Sequence, residues 1–173
     1  MKEVYHHFPL QSLIKGDHEK MLWHTIHVVK PEVIPLIVTE HVDFQTKGNA
    51  EMTDLTSKVA AAVERSGLDA GIAVIFASGA TGAVTTIEYE PGLVEDMLGA
   101  LERIAPEEIE YAHNQRWGDG NGHSHIRASM IGPSLTIPFS DGKLMLGTWQ
   151  QIVFLDLDNR PRYRRIVVQI MGE

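Results

Sequence analysis

Cysteine is absent from the 173 residues of this chain. Its absence excludes disulfides, thiolate nucleophiles and thiolate metal ligands. Any metal must therefore be held by histidine, carboxylate or carbonyl groups. The absence of cysteine does not by itself indicate a compartment.

Long apolar runs are also missing. The sequence contains no stretch of eighteen or more apolar residues that would suggest a membrane span. Its first ten residues, MKEVYHHFPL, lack the basic-then-apolar order of a signal peptide. We therefore expect a cytoplasmic protein without a membrane partner.

Basic residues are scarce, with 15 Lys and Arg against 23 Asp and Glu and a formal net charge of −8. This balance argues against broad nucleic-acid binding, which requires a basic face. The only basic run, residues 160–165, is interrupted by Pro161 and Tyr163. We interpret it first as a solvated strand edge, with an anion-binding patch as the alternative.

The chain is long enough for one well-buried domain and too short for two. Residues 1–20 show no clean period and are predicted to form an N-terminal extension. Residues 21–173 are predicted to form a single domain. Two strands are expected between residues 23 and 38, where two prolines indicate a bend or an edge.

Two helices are predicted in the first half of the chain. One has Thr53 as its N-cap and ends at Gly67, and the other opens at Pro91 and ends before Pro106. Two strands are predicted between these helices, at residues 71–76 and 84–90. The first is an unbroken apolar run, which we expect to be central in a sheet and buried on both faces.

The second half predicts antiparallel β-structure. Asp141-Gly142 is typical of a two-residue hairpin turn. The predicted strands are residues 126–131, 134–139, 143–147, 150–156 and 163–170. The fold class is therefore α+β, a β-sandwich or curved sheet of mostly antiparallel strands with two main helices on one side.

The most unusual stretch is residues 111–129, YAHNQRWGDGNGHSHIRAS, which holds three of the nine histidines. On an extended strand, His123 and His125 would present both imidazoles on one face. With His113 they could bind a divalent metal, zinc or magnesium, and leave a position for water or substrate. The alternative is that they are surface or hydrogen-bonded core histidines.

Polar neighbours of these histidines could bind an anion. The residues able to reach an anionic group are Asn114, Asn121, Arg127 and Ser129. Arg127 is predicted to share the strand face of both histidines and offers a bidentate fork. The set could therefore bind a phosphorylated small molecule with or without a metal.

The catalytic candidates are His125, Arg127 and Glu88. Glu88 is expected on the strand of residues 84–90, as a general base or carboxylate ligand, with a solvated strand face as the alternative. No Ser-His-Asp order stands out, which disfavours acyl-enzyme hydrolysis.

Two other segments leave alternatives open. The small residues of the 77–83 loop either cradle an anion with their backbone amides or only allow chains to pass closely. Trp149 is more typical of a core or subunit contact than of a stacking platform for a heterocycle.

Ordered segments of the chain resemble the YjbQ-type family, also described as secondary thiamine-phosphate synthase enzymes. The matching segments are His113-Asn114, NGHSHIRAS at 121–129, GPSLTIP at 132–138, DGKL at 141–144, LGTWQ at 146–150 and VQI at 168–170. The resemblance runs from about residue 23 to residue 173. The first twenty residues lie outside the family pattern.

The resemblance implies a β-rich α+β domain that assembles as a homotrimer, with clefts between subunits near the histidine segment. It also implies synthesis of thiamine phosphate from a pyrimidine diphosphate and a thiazole phosphate. The family's metal- or anion-binding role carries over to His113, His123 and His125. The alternative is a non-catalytic trimer that binds a metal or a phosphorylated ligand.

The chain departs from the family pattern after the apolar run of residues 71–76. Many members have His-Thr-Thr-Ala there, whereas this chain has Ser78-Gly79-Ala80-Thr81. The first half of the expected cleft is therefore changed, and one imidazole is lost.

Overall fold

The computed structural model describes residues 36–173. Its elements in chain order are β1 (Leu36–Thr46), β2 (Glu51–Asp54), α1 (Thr56–Ser66), β3 (Gly71–Ala77), β4 (Gly82–Ile87), α2 (Pro91–Ile104), α3 (Ala112–Trp117), α4 (Gly122–Ile131), β5 (Ser134–Ser140), β6 (Lys143–Leu144), β7 (Gln151–Asp156) and β8 (Arg162–Gly172). The predicted 1–20 extension and the strand predicted to start at residue 23 lie outside the described residues.

The strands form two antiparallel sheets. One has five strands in the order β1-β8-β3-β5-β6, and the other has three in the order β2-β7-β4. Every pairing in both sheets is antiparallel. The predicted α+β class with antiparallel strands is confirmed.

Two apolar cores lie on opposite faces of the three-stranded sheet. The first joins this sheet to the five-stranded sheet and α1, and includes Phe154 of β7. The second joins it to α2 and α4, and includes Leu155 of β7. The strand buried on both faces is therefore β7. β3 is central as predicted, but its other face leaves Ile72 and Phe76 exposed.

Both predicted main helices are confirmed, but Thr53 is not the N-cap of the first, because it lies in β2 and the helix begins after Leu55. α1 begins at Thr56, whose N–H donates to the Asp54 carboxylate, and its C-cap Gly67 has φ 69°. α2 begins at Pro91 and is capped by Glu90, whose side chain accepts from the Gly92 N–H at 2.8 Å. The strand before α2 ends at Ile87, so Glu90 caps a helix and does not lie on a strand face.

The strand predicted at residues 126–131 is wrong, because these residues belong to α4. α4 starts at Gly122, whose N–H donates to Asn114 Oδ1 at 2.8 Å. The loop expected before it contains α3, which ends at Gly118 in the left-handed region with φ 68°. The contact that supports the start of α4 thus comes from another helix, eight residues away in sequence.

The interpretation of residues 160–165 as a solvated strand edge holds in part. Residues 162–165 pair with β1 but lie beyond the register of β3, which starts at Ile166, and Tyr163 and Arg165 are exposed. Arg164, in contrast, is paired with the fully buried Asp156. The hairpin at Asp141-Gly142 is confirmed, with φ of 52° and 65°. No helix among residues 36–173 is long and apolar enough to span a membrane.

Candidate functional site

A close approach between α3 and α4 builds the site. A Cβ atom placed on Gly122 would lie 2.5 Å from Tyr111 Cβ and 3.0 Å from Asn114 Oδ1. Because glycine has no Cβ, the two short helices can come together, and Asn114 can accept from the first N–H of α4. The Asn114 oxygen, predicted to bind a ligand, serves here as a helix cap.

The imidazoles of His113 and His125 meet across this contact, with ring centroids 4.4 Å apart. The Asp119 carboxylate joins them, and its Oδ2 is 3.3 Å from His113 Nε2. One ligand atom from each of these three residues lies within 4.8 Å of the others. Two imidazoles and a carboxylate are a donor set that suits a divalent transition metal.

The turn that carries Asp119 is fixed at both ends. Gly118 and Gly120 have φ of 68° and 67°, which other residues rarely adopt. The Asn159 side chain, in the turn between β7 and β8, donates to the Asp119 carbonyl at 2.9 Å. The carboxylate is therefore positioned by backbone conformation and by a contact distant in sequence.

The Asn121 amide faces all three side chains. In the orientation that suits its neighbours, its nitrogen is 3.0 Å from Asp119 Oδ1, 3.2 Å from His113 Nε2 and 3.3 Å from His125 Nε2. An amide has only two N–H donors, so it cannot satisfy the carboxylate and both imidazoles at once. In a tetrahedral zinc site with bonds of about 2.0–2.1 Å, ligand atoms lie about 3.3 Å apart. The 3.3 Å between His113 Nε2 and Asp119 Oδ2 matches this spacing, and the three ligand atoms, one from each side chain, all lie within 4.8 Å of one another.

His123 is not part of this group. Residues two apart on a helix are rotated by about 200° around its axis and face nearly opposite sides, so the prediction of one shared face is wrong. His123 is only 3% exposed, and its Nε2 lies 3.2 Å from the Ser124 hydroxyl. Burial, followed by the nearby Arg127 guanidinium, lowers the pKa of His123.

Arg127 joins α4 to the end of α2. Its Nε donates to the Ala105 carbonyl at 2.9 Å, and its guanidinium is paired with Glu102. The Glu107 N–H and then this guanidinium lower the pKa of Glu102. The predicted anion-binding and catalytic candidate is thus a buried side chain engaged in internal hydrogen bonds.

The remaining candidates, Ser129 and Glu88, are not members of the group formed by His113, Asp119 and His125. The Ser129 hydroxyl donates to the His125 carbonyl at 2.8 Å, a bond within one helical turn. Glu88 is exposed after β4, and its side chain makes no hydrogen bond to another residue of the described range. Asp119 was missed by the sequence reasoning. Its one signal is a carboxylate flanked by Gly118 and Gly120, a pattern typical of a tight turn.

Residues 40–173 match the family described as UPF0047 protein YjbQ-like. The chain belongs to this family. A UPF0047 protein of Methanothermobacter thermautotrophicus is 38% identical over 137 residues, covering 79% of this chain and 94% of its own length. The UPF0047 protein YugU of Bacillus subtilis is 33% identical over 132 residues, covering 76% of this chain and 97% of its own length.

Solved structures of UPF0047 relatives share the fold. A YbjQ-like protein of unknown function from Sulfolobus solfataricus superimposes with a TM-score of 0.73 at 34% identity, covering 80% of this chain and 100% of its own. A YjbQ/UPF0047 protein from Clostridium acetobutylicum superimposes with a TM-score of 0.69 at 35% identity, covering 76% of this chain and 98% of its own. These relatives establish the family and the fold, and their descriptions name no activity.

Proposed function

We propose that this UPF0047 protein binds a divalent metal, zinc in the first instance, through His113, Asp119 and His125. The observation that carries the proposal is the convergence of these three side chains on the Asn121 amide, with contacts of 3.0 to 3.3 Å. Two imidazoles favour zinc over magnesium, which prefers oxygen ligands and keeps its water. Asn121 lies at the fourth corner, where a ligand oxygen could take its place.

The metal would be used to hold a phosphorylated small molecule. A bound divalent ion polarises phosphoryl oxygens and neutralises a leaving diphosphate. The protein's own groups would position the metal and the reactants. Thiamine phosphate formation from a pyrimidine diphosphate and a thiazole phosphate is the first reaction to test, because the histidine segment resembles that of the family described by this activity.

A second candidate is a non-catalytic metal- or phosphate-binding protein. It is favoured by the positions and hydrogen bonds of two of the catalytic candidates, Arg127 and Glu88. Arg127 is engaged with Ala105 and Glu102, and Glu88 has no hydrogen bond to the cluster. A site without a free general acid or base suits binding better than proton-transfer chemistry.

We further propose that the protein works as a homotrimer with this site in an intersubunit cleft. Ile126 and Met130 are exposed on α4 beside His125. Trp149 is 69% exposed on a turn closed by the Gln150 side chain, which accepts from the Gly147 N–H at 2.8 Å. Exposed apolar anchors of this kind are typical of subunit contacts.

The five-stranded sheet offers a second apolar surface. Strand register places Ile37, Met171, Ile72 and Pro138 in one row across its outer face. A cyclic trimer requires two different patches on each subunit, and these two surfaces satisfy that requirement. Sedimentation equilibrium should give three times the chain mass of 19.3 kDa, and a monomer would contradict the assembly.

The metal proposal is tested by zinc titration calorimetry on chelator-treated protein. Five of the nine histidines lie in residues 1–35, so variants are needed to separate their zinc binding from that of the cluster. Asp119→Asn and His125→Ala should each weaken one zinc site at least tenfold. His41→Ala, an exposed histidine on β1, is the matched control and should leave that site unchanged.

Equal zinc binding by His125→Ala and His41→Ala would contradict the site. A turnover assay with the two thiamine precursors then separates the two candidate functions. Product whose rate falls with His125→Ala supports the enzyme. Zinc binding without product supports the non-catalytic protein.

A further inference from the structure

In the turn between β3 and β4, four consecutive backbone amides have no acceptor among residues 36–173. The N–H groups of residues 78–81 donate to no other described residue, whereas the adjacent Ala77 N–H donates to Pro133 O at 2.7 Å. Ser78, Gly79 and Ala80 are all exposed. Runs of free amides in a turn are typical of sites that hold anions.

A guanidinium lies beneath this turn. A Cβ placed on Gly79 would lie 3.6 Å from Arg164 Nη1, an atom with no hydrogen bond to another described residue. Arg164 Nη2 donates to Thr81 Oγ1 at 3.1 Å, which fixes the guanidinium against the same turn. Because residue 79 is glycine, no side chain separates Arg164 from a ligand above it.

The charges around Arg164 are layered. Its side chain is 11% exposed and that of Arg162 is 33% exposed, whereas their partners Asp156 and Asp158 are 0% and 1% exposed. The carboxylates thus lie deeper than the guanidiniums. The network is neutral as a whole, but its positive groups lie nearer the solvent, which favours an anion over a cation at this surface.

We propose that the 78–81 turn binds a phosphoryl group, through its backbone amides and Arg164. A phosphoryl group has several terminal oxygens, so it can form a bidentate pair with a guanidinium and accept from amides at the same time, whereas a single spherical chloride ion cannot form the bidentate pair. The Ser78 hydroxyl adds a further donor. The ligand class is therefore a free phosphate or a phosphorylated small molecule.

This phosphoryl site is connected to the proposed metal site. Thr81 Oγ1 donates to Asp158 Oδ2 at 2.9 Å, and the next residue, Asn159, donates to the Asp119 carbonyl at 2.9 Å. One turn, residues 158–159, therefore holds both segments. The assignment extends the proposed function, on which it rests for its biological meaning, by giving a second phosphoryl group a site separate from the one held by the metal.

The test uses the full chain, treated with chelator, and inorganic phosphate as the probe. Amide resonances of Gly79 and Ala80 are followed by NMR during titration, with sodium chloride at equal ionic strength as the reference. We expect saturable shifts with phosphate and none with chloride. Shifts that are absent, or equal in chloride, would overturn the assignment.

Ala80→Asp and Ala80→Asn provide a matched pair. Position 80 is exposed, so neither change threatens the core. The added carboxylate should weaken phosphate binding at least tenfold relative to Ala80→Asn, because it repels the anion and competes for the amides. Equal binding by the two variants would contradict the site.

Zinc titration of the same proteins keeps the two proposals distinguishable. The phosphate experiment contains no metal, so failure of zinc binding leaves its outcome unchanged. Conversely, zinc binding that persists in Ala80→Asp while phosphate binding falls supports two separate sites.

Discussion

Substitution of Gly122 by alanine should separate the two histidines of the proposed metal site. The backbone of residue 122 is helical and accepts alanine, but the new Cβ would lie 2.5 Å from Tyr111 Cβ and 2.8 Å from Tyr111 Cγ. Carbon atoms in contact prefer about 3.5–4.0 Å, so α3 and α4 must move apart by about 1 Å or more.

That displacement decides the expected effect on zinc. Metal–ligand distances tolerate only about 0.2 Å, so a shift of about 1 Å removes one of His113 and His125 from the ligand set. We expect zinc affinity to fall at least about tenfold, which is about 1.4 kcal/mol. Overpacking should also cost about 1–3 kcal/mol of unfolding free energy.

Calorimetry and urea unfolding measure the two effects separately. Gly67→Ala is the matched control, because Gly67 is in the left-handed region and has no atom within 4 Å of a Cβ there. It should lower stability by about 1 kcal/mol and leave zinc binding unchanged. Zinc affinity within twofold of wild type in Gly122→Ala would refute the reasoning.

Two further predictions concern the buried ionic contacts around the site. Arg127→Met leaves the Ala105 carbonyl without its donor and should lower the free energy of unfolding in urea by about 1–3 kcal/mol. The control Arg65→Met removes an exposed ion pair with Glu40 and should lower it by less than about 1 kcal/mol. Equal losses would contradict a structural role for Arg127. The second prediction concerns Asp158. Burial alone would raise the pKa of Asp158, but the hydrogen bonds from Arg162 and Thr81 hold this pKa below its usual value. The stabilisation from Asp158 is therefore fully present above about pH 4 and is lost as the pH falls through the lower folded-state pKa. We expect Asp158→Asn to lower the free energy of unfolding by about 3 kcal/mol at pH 7. This is the low end for a broken buried ion pair, because Arg162 is one-third exposed. The difference in unfolding free energy between this variant and wild type should narrow below about pH 4. A difference independent of pH would show that the carboxylate charge is not responsible.

Much of the fold could be predicted because its signals are local. Gly67 ends α1, Pro91 opens α2, and Asp141-Gly142 forms a turn with positive φ at both residues. Each of these depends on the conformational preference of one or two residues. The prediction of antiparallel pairing followed from short strands joined by such turns.

α4 was predicted wrongly because its supporting contacts are not local. Ten residues with few apolar positions carry a weak periodic signal, and a short apolar run fits either a strand or a helix. The side chain that supports its first turn, Asn114, belongs to α3. The approach of α3 depends in turn on the missing Cβ of Gly122.

The amino-acid sequence establishes that the chain has imidazoles and no thiols, to which family it belongs, and where several local turns lie. Which side chains come together depends on contacts between distant segments. The tertiary structure turned His123 into the interior and brought Asp119 to His113 and His125. The reason is the helical period of α4, which separates neighbours two residues apart, together with glycine turns whose direction depends on contacts with distant residues.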